Sequence, residues 1–130
     1  MGPWTLLVLR VIFGIIFAAH GGQKVWVFGL EGTIKLFTSL GIPAPALTAT
    51  GVTAVELIGG LALVLGVLTR LAAGLLALDM LGAIVLVDLK GGFFAPHGVE
   101  LPLALLAGLV ALLGLDPGAL SLDARRLSER

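Results

Sequence analysis

Long apolar runs alternate with short polar breaks along the chain, at residues 4–20, 47–68, 71–88 and 99–115. An α-helix rises about 1.5 Å per residue and the hydrocarbon core of a bilayer is about 30 Å thick, so runs of this length predict four membrane-spanning helices. In the first run Arg10 interrupts the apolar residues where a signal peptide would place its basic residue ahead of them. Three further runs follow, so a retained span is expected. His20, Gly21, Gly22, Gln23 and Lys24 are expected to end it, the glycines stopping the helix and the polar groups meeting water.

Residues 25–45 are too polar to cross. Leu30, Ile34, Phe37 and Leu40 recur at helical spacing while Glu31 and Lys35 stand an i,i+4 step apart on another face. This predicts a short amphipathic helix, ended by Gly41 and Pro43, lying along the membrane surface or over the mouth of the bundle, with Trp26 and Phe28 as interfacial anchors. A tight turn at 66–70 leads into the third span, and a loop at 90–98 carries Gly91, Gly92, Pro96 and His97. Pro102 falls in the first turn of the fourth span, where a missing amide costs little, and Ala104 with Gly108 suits close helix contact. Asp116, Pro117 and Gly118 end that span before a charged tail at 116–130.

Composition agrees: 58% of the 130 residues are hydrophobic and 12% charged, with mean hydropathy +1.14. The expectation is one domain over 1–130: an all-α, polytopic membrane protein, a four-transmembrane-helix bundle with a short amphipathic helix between spans 1 and 2. Zero net charge supplies no basic field for nucleic acid, and the lack of cysteine removes thiol chemistry and thiolate metal sites. Arg70, Arg125, Arg126 and Arg130 outnumber Lys24, Lys35 and Lys90 across the membrane, which predicts cytoplasmic termini in the plasma membrane.

The ionisable residues inside the spans hold the candidate chemistry. An acidic residue at a helix centre costs about 2.5–3.5 kcal/mol on insertion scales, so Glu56 needs a partner. Counted along the spans, Arg10, Asp79 and Glu56 lie roughly 9, 12 and 18 Å from the cytoplasmic side. A buried cluster of Arg10, Glu56 and Asp79 is expected, with Arg10 answering Glu56. One cation against two carboxylates favours keeping one acid protonated, the chemistry of a proton carrier or quinol site. The alternative is an ion pair that fixes helix register and does nothing else. Asp79 and Asp88, nine residues apart, fall on opposite faces of an ideal helix, so both are not expected to face one core.

A second candidate lies at the outer end, where His20, Lys24, Asp88, His97 and Glu100 are expected to gather as a ligand site for a quinone headgroup. No zinc-ligand spacing occurs, and no metal is assigned.

Several stretches together resemble the DoxX family of small four-helix membrane proteins. They are Arg10 to Gly14 leading to His20-Gly21-Gly22-Gln23-Lys24, Phe37 to Pro43, Glu56-Leu57-Ile58-Gly59-Gly60, and Leu65-Gly66 with Thr69-Arg70. Gly98-Val99-Glu100 and the exit Asp116-Pro117-Gly118 leading to Ser121-Leu122-Asp123 complete the match, which covers nearly the whole chain. Asp116-Pro117-Gly118 stands where many relatives would have Gly-Pro-Gly. The resemblance implies the bundle and, by analogy, membrane redox systems: quinone-reducing sulfur oxidation and redox-stress complexes. It implies an accessory or quinone-interacting subunit, with quinone as the cofactor to look for and a membrane or peripheral oxidoreductase as partner. Catalysis by this chain alone is not expected. A small transporter or lipid-binding bundle, acting as a homo-oligomer, and a structural assembly factor are the other readings.

Overall fold

The computed structural model describes residues 2–115, 120–123 and 125. Five α-helices are present among them: α1 (Pro3–Gly22), α2 (Gly29–Ser39), α3 (Pro45–Leu65), α4 (Thr69–Leu86) and α5 (Glu100–Gly114). Three helical stretches are long and apolar enough to cross a membrane, Pro3–Val27, Pro45–Leu65 and Thr69–Leu86. The apolar α5 has 15 residues, about 22 Å of helix, which is short of a full crossing. The expected four spans are thus three of spanning length and a shorter fourth helix packed along α4.

The first helix does not stop at its glycines. It runs through Gly21 and Gly22 and continues as a π-helical turn over Gln23–Val27. These glycines were expected to end the helix, but Gly21 serves packing: a Cβ there would stand 2.7 Å from Leu57 Cα. Gly14 and Gly60 act alike, since a Cβ on Gly14 would lie 2.6 Å from the Gly60 carbonyl oxygen and one on Gly60 2.9 Å from Ala18 Cα. Small residues on both helices let the α1 and α3 backbones approach closely, and this contact sets the antiparallel register of the pair.

The amphipathic helix is where its periodicity placed it, although its buried positions are Thr33 and Phe37 while Leu30 and Leu40 remain exposed. The Thr33 hydroxyl donates to the carbonyls of Gly29 and Lys24, tying α2 to the end of the first helix. At the other end Gly41 adopts φ +75°, with Ile42 N–H on the Phe37 carbonyl and Gly41 N–H on the Thr38 carbonyl. This is a Schellman ending, and its C″ and C3 residues Ile42 and Phe37 form an apolar cluster with Ala49 of α3. The amphipathic helix therefore packs over one end of the bundle.

The main core joins Phe17 of α1, Leu63 of α3, Ala73 and Leu76 of α4, and Leu109 and Leu112 of α5. Phe13 fills the space left by Gly108, whereas Ala104, the other member of the expected small-residue pair, is exposed. The exit Asp116-Pro117-Gly118 lies outside the described residues.

Candidate functional site

The register of α1 against α3 decides which cation meets Glu56. Gly14 lies against Gly60 and Val64, Gly21 against Leu57, and one turn further Lys24 reaches Glu56. The Lys24 Nζ stands 2.5 Å from Glu56 Oε1, with both side chains largely buried. Arg10 was expected in that role and does not fill it. The same register puts Arg10 beside Gly66 at the opposite end of α3, its Nη1 3.0 Å from the position a Gly66 Cβ would take. Asp123 of the tail is the acidic charge facing Arg10.

Asp79 does join Glu56. Both carboxyl groups line one cavity, and Lys24 is the cation beside them. Two carboxylates held beside one cation in an apolar interior favour keeping a proton on one of them, because like charges held close oppose the second ionisation. The group Lys24, Glu56 and Asp79 then carries one positive and one negative charge, a neutral set that an apolar interior tolerates far better than two bare carboxylates. The Asp79 Oδ2 atom is buried and has no partner of its own.

Above this group opens a cavity of about 400 Å³, the size of a small-molecule site. Phe37, Leu40 and Ile42 roof it, Thr48 and Val52 of α3 form one wall, and Leu78, Gly82 and Ala83 of α4 the other, with Lys24, Glu56 and Asp79 among its lining. Asp88 lines it too, which corrects the expectation that Asp79 and Asp88 diverge. The helix ends at Leu86, and Val87 (φ −125°, ψ −59°) turns the chain into a 3₁₀ turn over Asp88–Gly91, so ideal-helix phasing no longer applies. Burial pushes the Asp88 carboxyl above the usual range. Gly82 and Ala83 drew no role from the sequence, although two small residues one turn beyond Asp79 are the signal that marks room there.

A second cavity of about 170 Å³ lies between α1, α4 and α5 and is lined by His20, Glu56, Met80, Ala83 and Asp88, among others. Of the outer-end candidates, His20 and Asp88 share this cavity while Lys24 belongs to the buried pair. His97 is exposed in the loop, and Glu100 accepts a hydrogen bond from the Ala95 N–H at 2.9 Å. The five do not form one cluster. Among the described residues no group of three or more His, Asp or Glu is arranged to hold a metal ion.

The tail residue Asp123 drew no role from the sequence, yet it organises the other end. Its carboxylate accepts from the N–H groups of Leu68 and Thr69 at 2.9 and 2.8 Å, capping α4, and its own N–H donates to the Gly66 carbonyl. An acidic residue near a helix start brought from a distant segment leaves no local signal.

The family model described as DoxX matches residues 5–89. An uncharacterized membrane protein of Mycobacterium tuberculosis is 39% identical, the match covering 99% of this chain and 85% of the relative. A Bacillus subtilis protein named "Putative oxidoreductase CatD" is 42% identical over 85% of this chain and 84% of its own length. The inner membrane protein YphA of Escherichia coli is 33% identical, covering 95% and 91%. No solved structure matches the chain.

Proposed function

The chain belongs to the DoxX family of membrane proteins, and from that premise we propose that it is a quinone-binding accessory subunit of a membrane redox system. The observation that carries this reading is the 400 Å³ cavity with apolar walls and a floor of Lys24, Glu56 and Asp79. An apolar chamber with few converging polar groups suits an amphiphile whose ring carries hydrogen-bonding oxygens. The partnerless Asp79 Oδ2 supplies an acceptor and the Lys24 ammonium a donor to such a ring. Electrons pass to or from a partner oxidoreductase, because the chain carries no cysteine and no recognisable flavin or nucleotide motif. The oxidoreductase name of the Bacillus relative supports the redox assignment, as a name only. In this reading α5 is the fourth crossing, the membrane is the plasma membrane, and the termini are cytoplasmic.

Purification in mild detergent followed by lipid and quinone extraction tests the proposal. The wild-type chain should retain quinone stoichiometrically and Asp79→Leu should lose it. Absence of quinone from the wild type, with no uptake of a short-chain benzoquinone added afterwards, refutes it and leaves the register-fixing ion pair as the role of Glu56.

A further inference from the structure

Glu56 forms part of the wall of both cavities. On one side lies the large chamber under α2, and on the other the 170 Å³ space between α1, α4 and α5. That smaller space has room for roughly five waters at about 30 Å³ each, and Glu56, Asp88 and His20 give water the polar partners it needs. His20 is exposed, and it precedes Lys24 by about one helical turn, so surface, His20 and the buried ion pair follow one another along the first helix. The groups facing Glu56 are Lys24 and His20 from the first helix and its π turn, Asp79 from α4 and Asp88 from the 3₁₀ turn. The helix α5 contributes apolar Leu101, Pro102 and Leu105 to this cavity and no charge.

We propose that the smaller cavity is a proton path, separate from the ligand chamber, which connects the Glu56–Asp79 pair to the protein surface through His20 and Asp88. An imidazole takes a proton on one ring nitrogen while releasing one from the other, which suits His20 to the exposed end. One proton leaves the pair towards His20 as another arrives from the chamber side, so the charge of the Lys24, Glu56 and Asp79 group is unchanged. The two routes meet at a carboxyl: bound ligand reaches it from one face and water from the other. A ligand seated in the chamber thus keeps proton contact with the surface without opening the chamber to solvent. This rests on the reading that the carboxyl pair serves the ligand in the chamber, but not on what that ligand is.

Hydrogen–deuterium exchange at the protonated carboxyl, followed by infrared spectroscopy of the full chain in lipid nanodiscs without ligand, tests it. The carboxylic C=O band is assigned by its loss in Asp79→Asn and Glu56→Gln, and its downshift is timed after transfer to deuterated buffer. Two substitutions at exposed positions perturb the small cavity, His20→Leu and Leu101→Trp, and Leu78→Trp, also exposed, narrows the large one. The first two should slow exchange by at least about tenfold, as when a positioned proton relay is removed, and the third by less than about twofold. Equal rates in all three, the reverse pattern, or no carboxylic acid band would overturn the proposal. Absence of quinone from the purified protein with this exchange pattern intact would fell the ligand reading alone.

Discussion

The pairing of Glu56 with Lys24 instead of Arg10 can be measured by a pair of double-mutant cycles. Removing one partner of a buried ion pair typically costs about 3–5 kcal/mol, because the other charge stays desolvated. Lys24 keeps 17% of its side chain exposed and Glu56 only 6%, so Lys24→Met should cost near the lower end, about 3 kcal/mol. Once Glu56→Gln has removed the negative charge, Lys24→Met should cost much less, giving a coupling energy of at least about 1.5 kcal/mol. Arg10 lies beside Gly66, ten residues along α3 from Glu56, or roughly 15 Å at 1.5 Å per residue. At that separation Arg10→Met and Glu56→Gln should add to within about 0.5 kcal/mol. The assay is equilibrium unfolding in mixed micelles of increasing sodium dodecyl sulfate, followed by far-ultraviolet circular dichroism. A larger coupling to Arg10 than to Lys24 would refute the α1–α3 register.

Four other substitutions probe the same frame. Gly60→Ala puts a methyl 2.7 Å from the Gly14 carbonyl oxygen and should cost about 1–3 kcal/mol by forcing α1 and α3 apart, whereas Gly51→Ala, with nothing within 4 Å, should be neutral or stabilising in the same titration. Asp123→Ala removes the acceptor for Leu68 and Thr69 and should lower stability by about 0.5–2 kcal/mol; an unchanged unfolding midpoint would show that α4 needs no cap from the tail. Burial raises the Asp88 carboxyl, so its contribution to stability falls as pH rises through its folded-state value and is greatest below the ordinary aspartate range. Asp88→Asn should therefore raise the thermal midpoint relative to wild type at neutral pH, with the gap closing in acid; a gap independent of pH would contradict that burial.

The amphipathic helix and the glycine endings show what local pattern can reveal. Ile34 and Phe37 at helical spacing, and Gly41 after the last turn, specify α2 and its stop without reference to the rest of the molecule. Gly66 ends α3 in the same way, at φ +70° with Val67 N–H on the Ala62 carbonyl. Gly21 and Gly22 carry the same residue type and end nothing, because the contact with Leu57 is what requires the absence of a Cβ at Gly21. A glycine that breaks a helix and a glycine that lets another helix in look alike until the neighbour is known. The site followed the same rule. Glu56 and Asp79 were expected in one cluster with Arg10, and the structure sets both in the lining of one cavity with Lys24 instead, a residue assigned to the outer end because the first helix was expected to end there.

Sequence alone determined that this chain lives in a membrane as helices, since long apolar runs are a property of each segment and bilayer thickness sets their length. It also determined that a carboxylate deep in α3 must be answered by another polar group, because apolar surroundings impose that cost wherever the neighbours stand. Which cation answers it, and that Asp88 turns back to share a cavity with Asp79, came only from the tertiary structure. Helix register depends on which side chains interlock between two segments, and an ångström-scale contact such as that of Gly60 with Ala18 shifts every later pairing along the helix.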